Sequence, residues 1–157
     1  MKIRMAEEKD IPRAQELLSQ VLEIHAAIRP DIFISGTTKY TAEELLAIFN
    51  DPQRPVFAAA DDDDTMIGYA FCKVMDLSGR NNMKDSRTLY IDDLCVAENC
   101  RGMHVGRALF DHVKAYAEEN GFDTITLNVW EGNDSAEAFY RKCGFRVKKK
   151  EMDFRIG

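Results

Sequence analysis

Tyr90-Ile-Asp-Asp-Leu-Cys-Val-Ala-Glu-Asn-Cys-Arg101-Gly102-Met103-His104-Val105-Gly106-Arg107-Ala108-Leu109-Phe110 is the stretch whose reading decides the fold. Its first part, traced back to Thr88, is rich in β-branched, aromatic and aliphatic residues and predicts a strand to Val96. After a glycine-containing turn, apolar residues recur at helical spacing from about Val105 to Glu119, and Asn120-Gly121 supplies a stop. A strand that passes through a short turn into a helix leaves free N–H groups at the helix start. Together with the positive end of the helix dipole they form an anion site. Gly102 and Gly106 would let a phosphate approach the backbone, although two glycines before a helix also suit a plain tight turn.

Outward from this stretch, residues 2 to 5 alternate as a short strand, and Asp10 is placed to cap a helix whose apolar residues Ile11, Ala14, Leu17, Leu18, Val21, Leu22 and Ile24 share one face. That helix should end before Pro30. A loop over about 29–40 leads to Thr41 and Glu44, a capping-box pair that opens a second helix through Leu45, Leu46, Ile48 and Phe49. Val56 to Ala60 and Met66 to Met75 read as a hairpin around the charged turn Asp61 to Asp64, and Ser78 to Ser86 as a polar loop. Beyond the central helix the pattern predicts a strand from Phe122 to Trp130, a short helix from Ser135 to Lys142 and a last strand from Phe145 to Phe154. The order β-α-α-β-β-β-α-β-α-β implies a mixed α/β sheet with helices on both faces. With no repeat or linker, the 157 residues read as one domain, 1–157.

Composition narrows the function. The formal net charge of -6 disfavours nonspecific nucleic-acid binding, which needs clustered Lys and Arg along phosphates, and makes cationic partners easier to accommodate. The one basic cluster, Arg146 with Lys148, Lys149 and Lys150, reads as a solvated strand face or as a contact for a ligand phosphate. No apolar run approaches the roughly 20 residues that cross a bilayer, and Met1-Lys2-Ile3-Arg4 opens straight into a strand pattern, so neither leader nor anchor is expected and a cytosolic place is. The four cysteines then read as free thiols. Cys95, Cys100, His104 and His112 lack a C-x-x-C pair, and Cys95 falls in a strand, which argues against zinc.

Arg101 and Gly106 match the pattern R/Q-x-x-G-x-G/A, and Asn133-Asp-Ser-Ala136-Glu-Ala-Phe139-Tyr140-Arg-Lys-Cys-Gly144-Phe145 is similar to N-x-x-A-x-x-F/L-Y-x-x-x-G-F. On these two motifs, in order and on the expected elements, the chain resembles the GCN5-related N-acetyltransferase superfamily. The resemblance covers Leu89 through Phe145 and, more loosely, the element order of the whole chain. It departs at His104, where the family usually has glycine. Histidine tolerates left-handed backbone angles better than most residues, so the turn is expected to survive.

The resemblance implies a fold with a mostly antiparallel sheet whose fourth and fifth strands are parallel, and acetyl-CoA as cosubstrate, with no metal. By the same resemblance the backbone of Leu94, Cys95 and Val96 would line the acetyl and pantetheine groups. The amides of Arg101, Gly102, Met103, His104, Val105, Gly106 and Arg107 would hold the pyrophosphate. Asn133 and Ala136 would contact the pantetheine side, and Tyr140 would point its hydroxyl at the thioester sulfur. Asn133 also suits a helix N-cap, and Tyr140 with Phe139 a plain apolar face. Dimers are frequent in the superfamily, so a homodimer is a further implication.

A thioester is already reactive, so the protein must align a neutral amine, polarise the carbonyl oxygen and protonate the departing thiolate. An alkyl amine with a pKa near ~10.4 arrives protonated, and a carboxylate can take that proton directly or through water. Strand alternation puts Tyr90, Asp92, Leu94 and Val96 on one face and Asp93 on the other. Asp92 is therefore the candidate proton acceptor, and polyamine acetyltransferases carry an acidic residue at the matching point. Tyr90, Phe33 and Glu131 join Asp92 as candidate acceptor contacts, with the loop from His25 to Tyr40 covering the acceptor. The activity expected is acetyl transfer to a primary amine on a cationic small molecule or on a protein or peptide. The alternative is an acetyl-CoA-binding sensor or structural protein without turnover.

Overall fold

The computed structural model describes residues 1–157. Strand β1 (Lys2–Met5) opens the chain, and Glu8–Asp10 form a single 3₁₀ turn before helix α1 (Ile11–Ile28). Asp10 does not cap α1 as its position suggested. Its buried carboxylate instead takes two hydrogen bonds from the Arg4 guanidinium, at 2.7 and 3.1 Å, and one from the Glu7 N–H at 2.8 Å. A charge this deep requires such a partner, and pairing Asp10 with β1 outweighs the cap.

Helix α2 (Ala42–Phe49) starts on the expected capping box: the Glu44 N–H donates to Thr41 Oγ1 at 3.2 Å, and the Thr41 N–H donates to Glu44 Oε1 at 3.0 Å. Strands β2 (Val56–Ala60), β3 (Met66–Asp76) and β4 (Arg87–Val96) continue the antiparallel sheet, and helix α3 (Val105–Glu119) carries the chain across to β5 (Thr124–Leu127). Helix α4 (Asp134–Lys142) follows. The strands lie in sequence order, with β4 and β5 parallel.

Helices α1 and α2 cover one face of the sheet. There Cys95 Sγ reaches the Leu17 carbonyl at 3.7 Å, and the rings of Tyr40 and Phe49 each lie 6.2 Å from Phe71. Helix α3 covers the other, where Phe57 meets His112 and Tyr116 at 5.1 and 5.2 Å. A continuous cluster of 26 buried residues joins the two layers, and β2 is buried from end to end.

Two strand expectations fail, both at one end of the sheet. Strand β5 stops at Leu127, well short of Trp130. The last strand, predicted over 145–154, does not form: residues 146–157 are exposed, turn nowhere, and make no backbone hydrogen bond with any other segment. Their alternating pattern suits a strand, but a strand needs a hydrogen-bonded neighbour, and these residues pair with none.

Candidate active site

The turn into α3 leaves an unusual surplus of donors. From Gly102 to Arg107, six consecutive backbone N–H groups donate to no backbone carbonyl and to no side chain. The conformation that fans them out depends on two left-handed residues, Gly102 at φ +81° and His104 at φ +60°. Histidine therefore occupies the geometry that glycine would fill, as the sequence led one to expect. Gly106 is needed for a different reason: a Cβ there would lie 3.3 Å from the Phe139 ring and 3.6 Å from Val96 Cγ2, so its absence lets α4 and β4 close onto the start of α3. Free amides at the positive end of a 15-residue helix fit the diphosphate of a nucleotide. Arg101 is exposed beside them, and Arg107 is paired with Asp111 at 3.0 Å.

Beside this cradle the sheet parts. Strands β4 and β5 are in register from Thr88 opposite Thr124 to Ile91 opposite Leu127, and there the pairing ends, while β4 continues on β3 as far as Val96. Asn128 and Val129 make no backbone hydrogen bond. The slot between the parted strands can accept an extended polar chain as a substitute strand. Leu94 and Val96 border it, with the Val96 carbonyl already accepting from Gln20 Nε2 at 3.0 Å. Cys95 turns the opposite way, paired with Tyr69 under α1, and burial pushes its thiol up to about 12. Only its backbone is placed to serve the slot.

Helix α4 sits at the mouth. Asn133 precedes it without making a side-chain cap, so its amide group is free, and Ala136 is half-buried one turn later. The Tyr140 hydroxyl has no hydrogen-bond partner. Burial raises the pKa of this phenol, and the nearby Asp93 charge raises it further, so the group remains a proton donor through the neutral range.

Asp92 differs from expectation. Phe71 lies opposite Asp93, and Cys72 opposite Ile91, so Asp92 is an extra residue bulged out of β4. The bulge breaks the alternation before Asp93, so strand phase no longer groups Asp92 with Leu94 and Val96, while Asp93 keeps the expected face opposite them. Asp93 shares the α1 face with Cys95, Phe71 and Tyr69, and its carboxylate accepts from the Tyr69 hydroxyl at 2.8 Å. Burial pushes the Asp93 carboxyl up to about 6, a shift that the Tyr69 hydrogen bond and Lys39 limit and Asp92 reinforces. Asp92 accepts from Lys39 Nζ at 3.1 Å, at the edge of a hollow lined by Tyr40, Arg54, Phe71, Cys72 and Lys73.

Phe33 packs 5.2 Å from both His25 and Trp130, forming an aromatic cluster with the residue three positions beyond the end of β5. Burial, together with Lys39, lowers the pKa of His25, which favours a neutral imidazole. The Tyr90 hydroxyl accepts from Asn128 Nδ2 at 2.9 Å and so braces the parted strand, while Glu131 is exposed in the turn before α4. Sequence reasoning missed Lys39, Tyr69 and Trp130. Trp130 carried a signal as the only tryptophan, placed at the end of a predicted strand.

Residues 18–145 match the acetyltransferase (GNAT) family. The chain is 32% identical over 122 residues to the peptidyl-lysine N-acetyltransferase YjaB of Escherichia coli, covering 77% of this chain and 69% of that protein. It is 33% identical over 85 residues to a probable N-acetyltransferase, san, of Drosophila melanogaster, covering 54% of this chain and 43% of that longer protein. Among solved structures, a mutant of the BH1408 protein from Bacillus halodurans superposes with a TM-score of 0.95 at 31% identity, over 99% of each chain.

Proposed function

Because this chain belongs to the acetyltransferase (GNAT) family, it is an N-acetyltransferase that uses acetyl-CoA, and we propose that its acceptor is a cationic primary amine of the lysine or polyamine kind, deprotonated by Asp93. The observation that supports this reading is a carboxylate raised to about 6 near the unpartnered Tyr140 hydroxyl, on the strand that parts from β5 and leads into the six free amides. The amides of residues 102–107 bind the diphosphate of the donor, and the backbone of Leu94 and Val96, with Asn133 and Ala136, lines its extended arm.

The acceptor arrives as an ammonium. Asp92 draws it in, the incoming ammonium displacing that of Lys39, whose pairing with this carboxylate supports its fit to a primary amine. Asp93, ionised above about pH 6, takes one proton from the ammonium directly or through water. The freed nitrogen lone pair attacks the thioester carbonyl, the C–S bond breaks, and the thiolate takes the proton of the Tyr140 hydroxyl. The amide nitrogen and Asp93 each release their proton to solvent, and Tyr140 regains one from it, for a net release of one proton per turnover. Phe33 and Trp130 give the aliphatic part of the acceptor an apolar wall.

Release of free thiol from acetyl-CoA in the presence of lysine peptides and polyamines tests the proposal. Amine-dependent release that falls in a Tyr140→Phe variant supports it. Acetyl-CoA binding without release on any amine favours the sensor alternative.

A further inference from the structure

The hollow beside Asp92 holds more positive charge than its one carboxylate answers. Its cavity of about 120 Å³ has a floor of the buried side chains of Ile48, Phe71 and Cys72, and its walls bring in Arg54 and Lys73. Burial, reinforced by the Asp92 charge, pushes the Cys72 thiol up to about 12, so the floor is uncharged. Arg54 is half-buried and Lys73 exposed, and neither side chain makes an ion pair or a hydrogen bond within the protein. Lys39 stands at the rim with its Nζ 3.1 Å from Asp92. Three cations therefore meet one anion, in a chain whose formal net charge is -6.

The bulge in β4 makes this arrangement, because Asp92, as the extra residue, is freed from strand phase and borders the hollow. The donor's phosphates do not account for the surplus of cations. Gly68 pairs with Val96 at the cradle end of the sheet, whereas Phe71, Cys72 and Lys73 lie three to five residues farther along β3, about 10–16 Å away. Displacement of Lys39 sharpens the requirement. Once an acceptor ammonium takes Asp92, Lys39 loses its partner beside Arg54 and Lys73. A diamine or polyamine adds still more positive charge there, whereas an acceptor that brings its own carboxylate leaves every charge answered.

Building on the acceptor reading of Asp92 and Asp93, we propose that the acceptor is a zwitterion, an amine that also bears a carboxylate, and that Arg54, Lys73 and the displaced Lys39 bind that carboxylate. Arg54 suits it best, since a guanidinium fork donates two parallel hydrogen bonds to one carboxylate. The apolar floor takes the carbons between the charged ends. The cavity holds about as much as four water molecules, which fits a carboxylate with a few methylenes. A free amino acid or the C-terminal residue of a peptide supplies this chemistry, and an internal lysine does not.

Lysine and ornithine are compared as acceptors with cadaverine and putrescine, the same skeletons without the carboxylate, by thiol release from acetyl-CoA with the products read by mass spectrometry. The wild type should favour the better amino acid over its decarboxylated partner by at least about 10-fold in kcat/KM, as one charge-assisted pair supplies. Arg54→Gln should reduce that ratio at least about fivefold, and Lys73→Gln should reduce it less. The ratio is taken within one protein, so damage to the fold lowers both rates and leaves the ratio unchanged. A peptide ending in lysine, set against the same peptide amidated at its C-terminus and against free lysine, tells which source supplies the carboxylate. Equal rates on the matched pairs, or a preference that both substitutions leave intact, would overturn the proposal while amine acetylation stands. Absence of thiol release on any amine would remove both.

Discussion

Replacing Asp93 by Asn should make the protein more stable and less active at once. The carboxyl sits about two pKa units above its ordinary value, with burial as the main cause, so at neutral pH the folded state holds a charge that water would hold better. Two units correspond to about 3 kcal/mol of lost stability. A raised carboxyl pKa means that the native state binds more protons than the unfolded one between about pH 4 and pH 6, so this penalty is nearly absent at pH 4, grows as pH rises through the interval, and is constant above it. Asparagine removes the charge, and its carbonyl can still accept from the Tyr69 hydroxyl. Urea unfolding at pH 8 should therefore show Asp93→Asn more stable by up to about 3 kcal/mol, or roughly 6–12 °C in Tm, with the gap closing toward pH 4. Acetyl transfer by the same variant should fall about 10²-fold to 10⁴-fold. An Asp93→Asn protein that is less stable at pH 8, or equally active, would refute the reasoning.

Other substitutions separate the remaining roles. Tyr140→Phe should lower kcat about 10²-fold to 10⁴-fold and leave acetyl-CoA affinity, measured by calorimetry, nearly unchanged; a fully active variant would make the residue structural. Asp92→Asn should raise the acceptor KM about tenfold with a smaller effect on kcat, since it removes an ion-pair partner but not the proton acceptor. An equal loss in kcat would return the proton-accepting role to Asp92. Gly102→Ala places its methyl in open space but forces a left-handed backbone on alanine, so it should cost about 1–2 kcal/mol in urea unfolding and weaken acetyl-CoA binding. Thr41→Ala should cost about 1 kcal/mol through the lost cap without affecting the acceptor KM.

What was legible in the sequence is what local chemistry decides. The bounds of α3, the Thr41 and Glu44 capping box, and the left-handed turn at His104 follow from side chains acting on their own backbone, and the structure shows them as read. The phase of Asp92 was not legible, because a bulge is a property of two strands, and nothing within β4 marks Asp92 as the extra residue against β3. Lys39 escaped notice for a similar reason. It comes to Asp92 from a loop 53 residues earlier, and only the packing of Tyr40 on Phe71 brings it there. Asp10 shows tertiary context overriding a local signal, since a cap contributes less than a buried guanidinium pair. The pattern over 145–154 alternates as a strand does, yet no strand forms there, because pairing depends on a hydrogen-bonded neighbour that alternation alone does not supply.

The most direct test of the central claim is the pH dependence of kcat/KM for the best amine acceptor. If Asp93 takes the proton from a bound ammonium, kcat/KM should rise with unit slope to about pH 6 and then hold level until the free amine itself titrates near ~10. A rise that continues without a plateau from pH 6 to 10 would mean that the site waits for a neutral amine from solution, and would contradict Asp93 as its proton acceptor.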